Sequence, residues 1–70
     1  MMEIKAEMAG NLWKLLVSEG DEISEGEDVA ILESMKMEIP ISADDDGVVK
    51  EVKCAEGDFI DEGDVIVIIE

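Results

Sequence analysis

Residues Gly47–Glu70 read GVVKEVKCAEGDFIDEGDVIVIIE, and 37 positions earlier Gly10–Glu33 read GNLWKLLVSEGDEISEGEDVAILE. Laid over one another without a gap, they agree at nine of 24 positions: Gly10/Gly47, Glu19/Glu56, Gly20/Gly57, Asp21/Asp58, Ile23/Ile60, Glu25/Glu62, Gly26/Gly63, Ile31/Ile68 and Glu33/Glu70. Three of these pairs are glycines, the residue that accepts φ > 0 and close backbone approach. Each half therefore reads as strand, EGD turn, short strand, EG turn, strand.

Between the turns the pattern has period two. Trp13, Leu15 and Val17 alternate with Leu12, Lys14 and Leu16; Val48, Val52 and Cys54 with Val49, Glu51 and Lys53; Ile39, Ile41 and Ala43 with Glu38, Pro40 and Ser42. Val29–Leu32 and Val65–Ile69 are short β-branched runs suited to buried strands. No stretch carries a helical stripe. The expected strands cover residues 2–7, 11–17, 22–24, 28–34, 37–42, 48–54, 59–61 and 65–69. Two like halves of four strands predict an all-β fold: two four-stranded antiparallel sheets related by a pseudo-twofold, forming a flattened barrel or sandwich.

Seventy residues hold one domain, expected to span residues 1–70. Five Lys+Arg stand against 20 Asp+Glu, a formal charge of −15. Such a surface repels nucleic acid and anionic membrane, which both need cations to bind, and steers the chain toward basic protein surfaces. The 47% hydrophobic content argues for folding rather than charged disorder. No apolar run reaches membrane-spanning length, and MMEIKAEMAG lacks the pattern of a signal peptide. With a single cysteine, Cys54, no internal disulfide can form. A cytoplasmic protein, monomeric when free, is expected.

At the junction of the halves stands ESMKME, Glu33–Glu38. A strand ending at Ser34 and another starting at Met37 leave Met35 and Lys36 as a two-residue hairpin turn. That turn lacks the Asn-Gly such tight loops prefer, so its side chains serve another purpose. Lys36 is then a cation displayed at a tip between two soft, adaptable methionines. Lys5, Lys14, Lys50 and Lys53 fall within expected strands and read as solvated charges. Trp13 reads as a partly buried core residue. Cys54 reads as a small core residue, since no His is present to activate it. With no His and one Cys, a zinc site is nearly excluded. Asp44-Asp45-Asp46-Gly47 is read as a turn, because a calcium loop begun at Ser42 would put Lys53 where a bidentate Glu belongs.

On these residues the chain resembles the biotinyl/lipoyl carrier domains over its whole length. The match runs through Leu32–Pro40 (LESMKMEIP), the leading EGD and EG, and the trailing Asp46–Val52 (DGVVKEV). Biotin carriers hold the modified lysine in Ala-Met-Lys-Met; here Ser34-Met35-Lys36-Met37 stands, with Ser34 for Ala. Lipoyl carriers have Glu-Ser/Thr-Asp-Lys-Ala, so Glu33-Ser34 leans toward lipoyl while Met35 and Met37 lean toward biotin. The EGD turn follows directly at Ser18, with no room for the protruding thumb of some bacterial carriers. No Ala/Pro-rich linker leads in, so the chain is similar to the small free-standing attachment proteins.

The resemblance implies a biotin carboxyl carrier without catalysis of its own. Biotin would be attached covalently to Lys36, Met35 and Met37 would be read by a biotin protein ligase, and Glu33, Ser34 and Glu38 would flank the hairpin. The partners implied are that ligase and the biotin carboxylase and carboxyltransferase between which the arm shuttles carboxyl groups. Two alternatives stand beside it. One is a lipoyl carrier for acyl or aminomethyl transfer, loaded by a lipoate ligase. The other is an unmodified acidic β-module that binds a protein partner.

Overall fold

The computed structural model describes residues 2–70. It contains eight strands: β1 (Met2–Lys5), β2 (Gly10–Leu15), β3 (Glu22–Ile23), β4 (Asp28–Ser34), β5 (Met37–Ser42), β6 (Gly47–Val52), β7 (Phe59–Ile60) and β8 (Val65–Ile69). No helix occurs among the described residues. One antiparallel sheet has the order β1-β8-β6-β3, the other β5-β4-β2-β7. The expected all-β architecture is therefore present, and β4 and β5 begin and end where the sequence places them.

Adding 37 to each strand of the second sheet's hairpin half reproduces the pairing of the first. β2 with β4 becomes β6 with β8, and β2 with β7 becomes β6 with β3. The hydrogen bonds repeat as well. The Leu12 N–H donates to the Asp58 carbonyl and the Val49 N–H to that of Asp21, both at 2.8 Å. In return the Gly57 and Gly20 N–H groups donate to the Leu12 and Val49 carbonyls, also at 2.8 Å. Each EGD turn is thus tied to the second strand of the opposite half, which locks the halves together.

Carboxylates secure these turns. Asp21 accepts from the Ser18 N–H (2.8 Å) and its mate Asp58 from the Ala55 N–H (2.9 Å). Glu27 and its mate Asp64 do the same for Ser24 (3.2 Å) and Asp61 (2.9 Å). A side-chain oxygen here satisfies a backbone donor that no strand reaches. Part of the acidity is therefore structural.

The core repeats in the same way. The buried residues form seven mated pairs, among them Leu12/Val49, Val29/Ile66, Leu32/Ile69 and Ile4/Ile41, plus Val17, whose mate Cys54 is half-buried. At about 25 cal/mol per Å² of apolar surface removed from water, this interdigitated layer is the main favourable term for so small a chain.

One expectation is corrected. Trp13 lies 43% exposed on the outer face, because β2 carries a bulge between Leu12 and Lys14 where it pairs with β4. The extra residue shifts the alternation: Leu12 points inward, Trp13 and Lys14 both outward, and Val17 inward again. β6 bulges at the mated place, between Val49 and Glu51.

Candidate functional site

β4 and β5 form an antiparallel hairpin whose register runs from Asp28↔Ser42 up to Ser34↔Met37. Ser34 and Met37 close the ladder, so Met35 and Lys36 alone make the turn. Their φ angles are 52° and 65°. Positive φ at both central residues is the type I′ turn, whose twist matches that of the strands it joins. Neither residue is glycine or asparagine, and each left-handed residue of this kind costs about 1 to 2 kcal/mol. The tip is held in this shape by the ladder beneath it.

The turn displays its side chains to solvent. Met35 is 92% exposed and Met37 63%. Lys36 is exposed between them. Among the described residues, Lys5 pairs with Glu3 (3.8 Å), Lys50 with Glu70 (3.7 Å) and Lys53 with Glu51 (3.0 Å). Lys14 lies 5.3 Å above the Trp13 ring. Lys36 takes part in none of these contacts, so its amine is the one cation here left clear of any described neighbour.

Beneath the tip, Glu33 and Glu38 face each other across the strands, both exposed. Like charges directly opposed weaken a sheet by a few tenths of a kcal/mol. Ser34 is half-buried where β2 comes close: a Cβ on Gly10 would stand 2.8 Å from the Glu33 carbonyl oxygen and 3.4 Å from the Ser34 Cβ. The structure thus brings the six hairpin residues named from the sequence into one projecting unit on a rigid base. Chemically this unit offers an accessible primary amine with an apolar pair beside it and a carboxylate pair behind it.

The remaining titratable groups give no second centre. Cys54 is half-buried, its Sγ 3.8 Å from the Ile66 carbonyl oxygen, and burial pushes its thiol above the usual range, helped by Asp58 and Asp64. Asp46, in the acidic run Asp44–Asp46, accepts from the Glu25 N–H at 2.7 Å and so serves as a turn anchor. No cluster of metal ligands occurs among the described residues, and no helix among them is long and apolar enough to cross a membrane.

Two aromatics are exposed against the sequence reading: Trp13, expected to be partly buried, and Phe59, which that reading did not single out and which is 64% exposed on β7. The repeat carried the signal. Their mates are Lys50 and Glu22, charged residues that mark both places as outward-facing.

The chain is similar to known proteins over nearly its whole length. Residues 2–69 match the family described as "Biotin-requiring enzyme". The biotin/lipoyl attachment protein of Bacillus subtilis is 65% identical over 65 residues, covering 93% of this chain and 89% of that one. The biotinylated protein TB7.3 homolog of Mycobacterium leprae is 43% identical, with 96% and 94% covered. Among solved structures, the Kluyveromyces lactis urea carboxylase superimposes with a TM-score of 0.92 at 30% identity, over 99% of this chain but only 6% of that enzyme.

Proposed function

The chain belongs to the biotin/lipoyl attachment family, and from that premise we propose that it is a biotin carboxyl carrier loaded at Lys36. The observation that carries this reading is the tip itself: an unpaired amine at positive φ, set between two exposed methionines on an antiparallel hairpin. An amine in water is an ammonium at neutral pH, so the loading enzyme must take its proton. The Nζ lone pair then attacks the activated biotinyl carboxyl, the amide bond forms, and the activating group leaves. The product is neutral, so the tip loses its positive charge.

Biotin supplies the carboxyl-carrying chemistry; this chain supplies tether, orientation and docking surface. Residues 1–70 act as one attachment unit with no catalysis of their own. Tethering holds the cofactor at an effective concentration set by the reach of the arm, so a biotin carboxylase and a carboxyltransferase can share it. The carboxylase likeness among solved structures supports this assignment of partners. We place the protein in the cytoplasm, where ATP for the ligation is available.

Intact mass after incubation with biotin ligase, biotin and ATP tests the proposal. One biotinyl group is expected, mapping to Lys36, and Lys36→Arg should abolish it while the melting temperature stays within a degree or so. Labelling of any other lysine would sink the assignment. Modification by lipoate ligase alone would move the protein to the lipoyl branch of the family, and no modification by either would leave the unmodified β-module.

A further inference from the structure

The pseudo-twofold supplies an internal control. Mated positions share backbone geometry and pairing, so folding demands much the same of both. On the outer face of the hairpin sheet, Pro40 pairs with Ile31 on β4, and Trp13 bulges out beside Lys14, the β2 partner of Ile31. The mated row of the other sheet is Glu3 opposite Ile68, with Lys50 beside Glu51. Phe59, opposite Asn11, corresponds to Glu22 opposite Val48. Leu16, 49% exposed just past β2, corresponds to Lys53. At four mated positions one sheet is therefore apolar where the other is charged. Among the described residues Val48, the mate of Asn11, and Val65, the mate of Asp28, run the other way. The fold accepts a charge at each of these places, so folding does not account for Pro40, Trp13, Leu16 and Phe59.

This face lies on the same sheet as the tip and begins in the row just below it. Phe59 stands in the row of Asn11, Glu33 and Glu38, one step below the Ser34–Met37 pair, and the Trp13 row follows beneath. A specific protein contact covers about 800 Å² on each partner, nearly a fifth of the 4321 Å² surface of this chain. Three tip side chains cannot supply that area. The acids around the face are Glu33 and Glu38 above it, Asp58 next to Phe59, and Glu56, whose side chain accepts the Leu15 N–H at 3.0 Å. Lys14, over the Trp13 ring, is the one cation within it.

We propose that the outer face of the hairpin sheet, centred on Trp13, Pro40 and Phe59, is the surface on which the biotin ligase seats while Lys36 enters its active site. This rests on the carrier reading above. The matching ligase surface is an apolar groove rimmed by Lys and Arg. Aromatic anchors in such a groove supply binding, and the acidic border supplies steering. Contacts this far from the reacting amine are made equally before and during acyl transfer, so their loss raises KM and spares kcat.

The test exchanges residues with their mates. Trp13→Lys with Phe59→Glu, and separately Pro40→Glu with Leu16→Lys, each leave the net charge at −15 and install side chains the same backbone already carries in the other half. Steady-state biotinylation by purified biotin ligase is measured with carrier as the varied substrate, after circular dichroism confirms cooperative melting. Each pair should raise KM at least tenfold with kcat within twofold. The reciprocal exchange, Lys50→Trp with Glu22→Phe, should leave both constants unchanged. A KM within twofold of wild type for the folded variants overturns the proposal, as does an equal rise in the reciprocal variant. If the wild-type chain takes no biotin at all, the carrier reading fails instead.

Discussion

The β4–β5 hairpin and the β8–β1 pair are the same structure met twice. Ile39 and Leu32 pair in one as Met2 and Ile69 pair in the other, in neighbouring sheets of the same strand order. One is closed by Met35 and Lys36 in a left-handed turn; the other forms with no turn, from strands far apart in the chain. The ladder thus assembles without a linking turn. The left-handed φ angles at Met35 and Lys36 belong to the two-residue connection itself, and they leave both side chains exposed.

The largest difference between the two ends is expected at the glycines beneath them. A Cβ on Gly10 would meet the Glu33 carbonyl oxygen at 2.8 Å, and one on Gly47 would meet that of Glu70 at 2.9 Å. Both distances demand movement. Glu33 is fixed from two sides, by Asn11 and by Glu38, whereas Glu70 lies beyond β8 and, among the described residues, its backbone bonds to Val48 on one side. Gly10→Ala should therefore cost about 1 to 3 kcal/mol, the range for overpacking, and Gly47→Ala clearly less. Urea melts of the two variants decide it, and equal losses would show that the hairpin base is no more constrained than its mate.

The turn comes next. Replacing Met35 and Lys36 with Asn and Gly gives the type I′ loop the residues it favours. Relief of left-handed strain should stabilise the chain by about 1 to 2 kcal/mol, a gain of several degrees in melting temperature for a domain this size. The variant would be a better hairpin and no carrier. A melting temperature unchanged or lowered would mean that the methionine and lysine side chains stabilise the tip by contacts that offset the strain.

How far the sequence carried depends on where a residue's environment is local. The repeat fixed eight strands and their turns, because glycine, carboxylate and β-branched positions act within a few residues of themselves. The six hairpin positions were legible for the same reason. Trp13 was not. A bulge is set by how two strands meet, and no pattern within β2 alone says that Leu12 and Lys14 are separated by an extra residue. The pinning of Glu25 by Asp46 and of Leu15 by Glu56 was equally hidden, since both join places distant in the chain.

Charge separates the two ends more gently. Glu33 and Glu70 are mates, but Glu33 faces Glu38 while Glu70 lies 3.7 Å from the Lys50 amine. Glu38→Lys should relieve the cross-strand repulsion and stabilise the hairpin by a few tenths of a kcal/mol, while slowing biotinylation by a basic ligase surface. Glu70→Lys should leave biotinylation unaffected. Raising salt from 0.01 to 0.1 M shortens the Debye length from about 30 to about 10 Å, so it should raise the melting temperature of the wild type and shrink the difference in ligation rate. A rate gap that persists in salt would place the effect in direct contact rather than steering.

The smallest effect distinguishes Val17 from its mate Cys54. Val17 is buried, and Cys54 packs half-buried against the same core. Burial raises the Cys54 pKa, with Asp58 and Asp64 adding to it. Below the ordinary thiol pKa the group is protonated whether the chain is folded or not, so its contribution to stability is fully present there. Above that value the unfolded chain releases the proton while the folded chain keeps it. Stability then falls as pH rises from the ordinary thiol range toward the raised folded value. The chain has no His and no Tyr, so few other groups titrate between neutrality and the lysine range. Cys54→Val, which copies the mate, should flatten that alkaline decline and leave stability near neutral pH little changed. The same burial should make the wild-type thiol slow toward iodoacetamide at pH 7 to 8, because the thiolate is the reactive form. Rapid alkylation of the folded protein, or an alkaline decline identical in both proteins, would show that Cys54 titrates like an open thiol.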